Sequence, residues 1–145
     1  VEILVETQNH AYYQLAISPA GALVDLDRKN GLRMLWASNA EVGAYLEDTA
    51  WTLEVRIPVA DESQDDIDPN NGLAGRMPSN SYPWYFNVCR QRTRAGEQQH
   101  WAFSPTAKTG FHHPRKFAEM GGIIRDPEER ERRDQRRREW LKQWD

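Results

Sequence analysis

The sequence has little of what membrane, disulfide-rich and nucleic-acid-binding proteins need. Its single cysteine, Cys89, allows no internal disulfide and no cysteine-rich metal site. No apolar run approaches the roughly 20 residues that cross a bilayer, and no basic and apolar leader precedes Val1. With 19 Lys and Arg against 22 Asp and Glu, the formal net charge is -3, so no basic surplus exists to neutralise a phosphate backbone. We therefore expect no transmembrane segment, no signal peptide and no nucleic-acid partner.

Tryptophan, by contrast, is abundant. Six tryptophans occur in 145 residues, a length that suits one domain of ordinary size. An aromatic excess in a moderately polar chain indicates either a β-sandwich core or a surface on which ligands stack. Each aromatic residue is therefore a candidate both for the core and for a ligand-binding surface.

Alternation of apolar and polar residues predicts several short strands. The clearest alternation runs over residues 50–58 and is typical of a strand with one buried and one solvated face. Residues 12–18 and 22–26 are joined by Ser-Pro-Ala-Gly, which predicts a hairpin turn. The side chains that we predict to be mostly buried are Trp51, Leu53, Val55, Trp84, Phe86, Val88 and Phe117.

Irregular stretches and a charged tail complete the chain. Residues 59–81 are acidic and rich in Asn, Gly and Pro, and a connection this long is typical of a functional loop. From Asp126, a capping residue followed by Pro127 and acidic residues predicts the start of a Glu- and Arg-rich helix. The sequence thus predicts an all-β fold, an antiparallel β-sandwich over residues 1–125, with a charged α-helical tail over residues 126–145.

Four segments in the same order resemble the family 9 carbohydrate-binding modules. They are Trp51-Thr-Leu-Glu-Val-Arg-Ile-Pro58, Trp84-Tyr-Phe-Asn-Val-Cys-Arg90, Phe103-Ser-Pro-Thr106 and Gly110-Phe-His-His-Pro-Arg-Lys-Phe117. The opening Val-Glu-Ile-Leu-Val, with Tyr13-Gln14 after it, resembles the family too. The resemblance covers residues 1–124 and implies a jelly-roll sandwich that binds polysaccharide or oligosaccharide without catalysis, often with bound calcium. It also implies a larger protein that is extracellular, periplasmic or on the cell surface.

The sequence departs from the family pattern at the expected ligand site. Family members have several dozen residues before the Val-Glu-Ile strand, and these supply one aromatic jaw of the sugar clamp. A basic residue expected two positions after Gln14 is Ala16, and the tryptophan usual before Ser-Pro-Thr is Phe103. In the family, the residues before this strand supply further strands as well as the aromatic jaw.

Three residues are the candidates for sugar binding, which needs an exposed ring with planar polar groups beside it. The resemblance places Phe111 as the second aromatic jaw, although a loop phenylalanine can equally anchor the loop in the core. Glu2 matches a hydroxyl acceptor on the first strand, and its alternative is a solvated strand carboxylate. Arg90 could bind hydroxyl groups or form a structural ion pair with a neighbour such as Glu54.

A metal site is the weaker candidate. Asp66, Asp68 and Asn70 are spaced two apart, so their oxygens could converge on a hard cation, and the family resemblance makes structural Ca²⁺ the expected cofactor. The loop lacks the glycine and the twelfth-position glutamate of an EF-hand, and its alternative is a solvated acidic loop. His112 and His113 are adjacent, and an extended chain would point them in different directions.

No nucleophile elbow, glycine-rich loop or metal signature predicts an enzyme. The main alternative to sugar binding is a structural or assembly domain that keeps the sandwich and binds protein partners. It is favoured by the substituted ligand positions and by a tail with apolar residues only near its end, at Trp140, Leu141 and Trp144. Such a helix buries little of itself against its own domain and can dock on another chain.

Overall fold

The computed structural model describes residues 1–7, 12–28, 36–60, 72–74, 78–107, 110–121 and 127–142. Within these ranges the fold is mostly β-structure. Its strands are β1 (Glu2–Glu6), β2 (Tyr13–Ile17), β3 (Leu23–Asp27), β4 (Glu41–Leu46), β5 (Trp51–Arg56), β6 (Val59–Ala60), β7 (Leu73–Ala74), β8 (Trp84–Arg94), β9 (Glu97–Ala102) and β10 (Ala118–Met120). A short 3-10 helix spans Pro114–Lys116, and helix α1 spans Pro127–Leu141.

Six of the described strands form one antiparallel sheet in the order β10-β8-β1-β2-β3, with β9 also paired to β8. The long strand β8 shares one of its edges between two partners: β10 pairs with its beginning and β9 with its end. Its other edge pairs with β1, where Glu2 lies opposite Cys89. Strands β4 and β5 form a separate antiparallel hairpin, and β6 and β7 pair in parallel. The predicted all-β, antiparallel character is therefore confirmed, apart from this one parallel pair.

Each face of the main sheet carries a buried cluster of side chains, since neighbouring residues of a strand point to opposite faces. On the face that we call the front face, one buried cluster contains Leu4, Tyr12, Tyr85, Cys89, Phe111 and Phe117. On the back face, a second cluster contains Val5, Tyr13, Leu15, Trp36, Leu73 and Trp84, with Ile57 and Val59 packed against it. The segment that follows the hairpin β4–β5, which contains Ile57 and Val59, thus helps to cover the back face.

Three of the sequence segments are joined by hydrogen bonds through one buried asparagine. The side chain of Asn87 is fully buried; its Nδ2 donates to the Ser104 carbonyl and its Oδ1 accepts from the Ser104 amide, both at 2.9 Å. The Ser104 hydroxyl donates in turn to the carbonyl of Lys116. An amide side chain that pairs with a backbone amide in this way satisfies buried groups that would otherwise be costly. The pairing fixes the irregular loop after β9 on the front face.

The burial predictions are confirmed in part. Trp84 and Phe117 are buried, whereas Trp51, Leu53, Val55 and Phe86 are only half-buried. The prediction for Val88 is wrong, since 40% of its surface is exposed. The physical reason is that the back-face cluster includes Trp84 and Phe86 but does not reach the next back-face residue of β8.

The segment boundaries also differ from the prediction. The stretch predicted as one irregular loop, residues 59–81, contains β6 and β7. The last described strand, β10, spans Ala118–Met120, and residues 122–124 lie outside the described residues. Helix α1 lies in the predicted tail, with an i,i+4 pair between Arg132 and Glu128 at 3.5 Å. In the parts of the chain described above, no helix combines the length and apolarity that a membrane span requires.

Candidate ligand site on the front face

Five polar side chains meet at one end of the front face and form what we call the front-face cluster: Glu2, Tyr12, Gln14, Arg28 and His112. The register of β1 and β2 brings Glu2 beside Gln14, and the backbone amide of Arg28 donates to the Tyr12 carbonyl at 3.1 Å, which extends the β2–β3 pairing. His112 comes from the loop before the 3-10 helix. Strand pairing therefore positions four of the five side chains, and the loop supplies the fifth.

The cluster is connected by short polar contacts. Gln14 Nε2 donates to Glu2 Oε2 at 2.8 Å, and the same oxygen lies 3.9 Å from His112 Nε2. Arg28 Nη2 lies 3.0 Å from His112 Nε2, and the Tyr12 hydroxyl lies 3.2 Å from His112 Nδ1. A guanidinium group can only donate, so the ring nitrogen that accepts from Arg28 carries no proton. We assign Nε2 as that acceptor, with the proton on Nδ1 shared with Tyr12.

The surroundings favour the neutral imidazole. Burial, together with the positive charge of Arg28, lowers the pKa of His112, and the nearby Glu2 carboxylate opposes the shift only in part. Burial also raises the pKa of the Tyr12 phenol, against the effect of Arg28. At neutral pH the cluster therefore contains a guanidinium, a carboxylate, an amide, a neutral phenol and a neutral imidazole.

The lowered pKa of His112 predicts a pH-dependent stability. As the pH falls below the ordinary histidine pKa of about 6.5, the unfolded chain takes up a proton that the folded chain resists, so stability is lost. The melting temperature should therefore fall between pH 7.5 and pH 5.5, and it should fall less in His112→Gln. Thermal unfolding of both proteins at the two pH values measures this. Equal falls in the two proteins would show that His112 does not contribute.

Two buried polar atoms of the cluster make no hydrogen bond to the residues that the structure describes. They are Gln14 Oε1, in a residue that is only 6% exposed, and Arg28 Nε. An unsatisfied buried acceptor or donor costs about 1–3 kcal/mol.

The three residues that the sequence predicts to bind sugar do not all lie together. Glu2 belongs to the front-face cluster, and its side chain is 22% exposed. Phe111 lies next to His112 but is buried, with its ring edge-on to His100 at 5.4 Å, so it is packed in the core as the alternative interpretation proposed. Arg90 follows Cys89 in β8 and points to the back face, where it contacts Trp51 and Trp101 and not Glu54.

The predicted metal ligands Asp66, Asp68 and Asn70 lie outside the described residues. Among the residues that are described, no group of three or more His, Cys, Asp or Glu side chains is arranged to hold a metal ion. Cys89 is buried beside Glu2, and burial, with a smaller effect of that carboxylate, raises the pKa of its thiol to about 12. The thiol is therefore protonated at neutral pH, as expected of a small buried apolar residue.

The sequence alone did not identify Tyr12, Arg28 or His112 as sugar-binding residues. His112 was considered only as a metal ligand, and Gln14 only as part of a motif. The strand alternation places Gln14 and Glu2 on one face once β1 and β2 are paired, so that part of the signal was present. Arg28 has no such signal, because its approach depends on the pairing of β3 with β2.

Comparison of the chain with models of known protein families, with curated protein sequences and with solved structures found no match. The site therefore has to be interpreted from its own chemistry.

Proposed function

We propose that the chain is a non-catalytic carbohydrate-binding module of a secreted or cell-surface protein, and that the front-face cluster binds the sugar. The observation that carries the proposal is a cluster of planar polar groups in which the side chains of Glu2 and His112 are 22% and 37% exposed. Sugar hydroxyl groups are recognised by such groups, which fix both direction and spacing.

Each member of the cluster has a role in this proposal. Glu2 accepts a hydroxyl proton, and its position is held by the hydrogen bond from Gln14 Nε2. Arg28 donates to a sugar oxygen through its terminal nitrogens. His112 and Tyr12 hold the guanidinium of Arg28 in place. Phe111 packs in the front-face core and so anchors the loop that positions His112 beside the strands.

We further propose that the fold is a β-sandwich of the jelly-roll type. The main sheet would be one layer, and the β4–β5 hairpin would begin the second. Support comes from Ile57 and Val59, which follow this hairpin and pack against the back-face cluster. Trp51, at the start of β5, contacts Arg90 on the same face.

The proposal is tested by titrating the protein with soluble neutral oligosaccharides from β-glucans and xylans in a calorimeter. Glu2→Ala should lower the affinity at least tenfold, because a hydrogen bond to a charged group contributes about 1.5–3 kcal/mol and tenfold corresponds to about 1.4 kcal/mol. Glu41→Ala is the matched control, since Glu41 is also a strand carboxylate but is exposed and paired with Arg56 at 2.9 Å.

Binding of no neutral oligosaccharide would contradict the proposal and favour the alternative, an assembly domain with protein partners. An equal loss of affinity in Glu2→Ala and Glu41→Ala would leave sugar binding in place but remove it from the front-face cluster. Thermal unfolding of each variant separates a loss of affinity from a loss of folded protein.

A further inference from the structure

The end of β8 and all of β9 except Ala102 extend beyond strand β1 as a two-stranded ribbon, residues 90–101. Residues 90–98 are exposed on both faces of the ribbon. Its turn, Ala95-Gly96, has positive φ at both central residues, 51° and 83°, the geometry of the two-residue turns that match the twist of paired strands. The register continues through Arg94 and Glu97 without a break, so the side chains alternate regularly between the two faces.

One face of this ribbon carries a row of arginines. Arg90, Arg92 and Arg94 are two residues apart in β8, so they lie on the same face, about 6.5–7 Å from one to the next. Their partners across the ribbon on that face are Trp101, Gln99 and Glu97, in that order. The opposite face carries Gln91, Thr93, Gln98 and His100. We call the face with the three arginines the arginine strip.

The strip adjoins an exposed aromatic surface. The Arg90 guanidinium lies 5.3 Å from the ring centre of Trp101 and 5.5 Å from that of Trp51, within the range of cation–π contacts. The side chains of Trp101 and Phe103 are 47% and 66% exposed, and Phe103 stacks on Phe86. An open depression of about 490 Å³ lies here, lined in part by Val88, Arg90, Trp101 and Phe103.

The charges of the strip have no ion-pair partner among the described residues. Within the residues that the structure describes, none of Arg90, Arg92 and Arg94 forms an ion pair, although Glu97 lies across the ribbon from Arg94. Guanidinium groups bind carboxylate and sulfate oxygens in a bidentate manner, and they bind more strongly where no internal partner competes. A linear row of them beside an exposed indole matches an extended anionic ligand that also has apolar ring faces.

We propose that the arginine strip binds an anionic polysaccharide, a sugar chain that carries carboxylate or sulfate groups. The guanidinium groups bind the oxyanions, Trp101 stacks on the face of a sugar ring, and Gln99 binds hydroxyl groups. This surface is distinct from the front-face cluster. Glu2 lies opposite Cys89, and Arg90, the next residue, points to the other face of the sheet.

The charge distribution favours a polysaccharide over a nucleic acid. The net charge of the chain is -3, so the strip lacks the surrounding basic field that drives phosphate-backbone binding. Gln99 and Trp101 lie on the same face as the three arginines and suit the hydroxyl groups and the ring faces of a sugar chain.

The test compares four probes with one pair of triple variants. The probes are polygalacturonate, dextran sulfate, neutral dextran and a single-stranded oligonucleotide, with affinity measured by biolayer interferometry. Arg90→Gln, Arg92→Gln and Arg94→Gln are combined in the first variant. Arg56→Gln, Arg136→Gln and Arg138→Gln are combined in the second, which changes the net charge equally at exposed sites elsewhere.

We expect the native protein to bind polygalacturonate, dextran sulfate or both, and not neutral dextran. The strip variant should bind at least tenfold more weakly than the native protein. The control variant should keep an affinity within about twofold of the native value. Trp101→Ala should weaken binding without changing the net charge. The proposal is overturned if neither anionic polysaccharide binds, if the oligonucleotide binds more tightly than both, or if the two triple variants lose equally.

Titration with neutral oligosaccharides distinguishes binding at the arginine strip from binding at the front-face cluster. If both proposals are right, Glu2→Ala weakens neutral oligosaccharide binding and leaves polyanion binding unchanged, and the strip variant does the reverse. Failure of neutral oligosaccharides alone would remove the front-face proposal and leave the strip intact. Loss of polyanion binding in Glu2→Ala, with the protein still folded, would contradict a separate strip.

Discussion

Phe111→Ala should lower the free energy of unfolding by about 3–5 kcal/mol, the usual cost of emptying a buried phenylalanine site. Phe111 is 5% exposed and belongs to the front-face core cluster. For a chain of this length, a loss of that size should lower the melting temperature by about 10 °C. The measurement is thermal unfolding followed by circular dichroism.

Phe103→Ala is the matched control for Phe111. Phe103 is also a loop phenylalanine near the end of β9, but 66% of its surface is exposed, so its replacement should cost much less. A melting temperature of Phe111→Ala within about 2 °C of the native value, below one kcal/mol for a domain this size, would contradict the core position. It would favour the exposed ring that the sequence resemblance implies.

Asn87→Leu should be as destabilising, although it adds apolar surface to the interior. The substitution removes both hydrogen bonds to the Ser104 backbone and leaves a buried donor and a buried acceptor without partners. At about 1–3 kcal/mol for each group, the free energy of unfolding should fall by about 2–6 kcal/mol. Chemical denaturation with a linear extrapolation gives this quantity directly.

Gln91→Leu is the control for Asn87, because Gln91 lies on the same face of β8 but in the exposed ribbon. Its replacement should change stability by less than about 0.5 kcal/mol, as is usual for surface positions. If Asn87→Leu is as stable as Gln91→Leu, the amide pairing does not hold the loop after β9 in place.

The strands could be predicted from the sequence because one-sided burial leaves a period of two. The alternation around Trp51 and the hairpin turn at 18–21 both correspond to observed elements, β5 and the β2–β3 connection. Alternation does not predict how far along β8 the back-face cluster extends. Val88 is in phase with Trp84 and Phe86, yet it is exposed because nothing in the back-face cluster reaches it.

The candidate site was harder to predict than the strands. Glu2 was identified from a resemblance, and its partner Gln14 follows from the β1–β2 register. Arg28 and His112 are 84 residues apart in sequence and meet only in the folded chain, so no local pattern connects them. Phe111 and Arg90 have side chains that suit sugar binding. In the folded chain, however, Phe111 lies in the core and Arg90 points to the opposite face of the sheet.

The most direct test of sugar binding at the front-face cluster is the imidazole NMR spectrum of His112, recorded as a neutral oligosaccharide is titrated into the protein. His112 contacts Arg28 and lies 3.9 Å from Glu2, so a sugar bound to either should change its ring environment. The His112→Gln spectrum assigns the signal among the four histidines. We predict that the His112 ring signals shift with saturation, more than those of His100 and His113, and that Glu2→Ala weakens the response. A saturating oligosaccharide that leaves His112 unchanged would contradict sugar binding at this site.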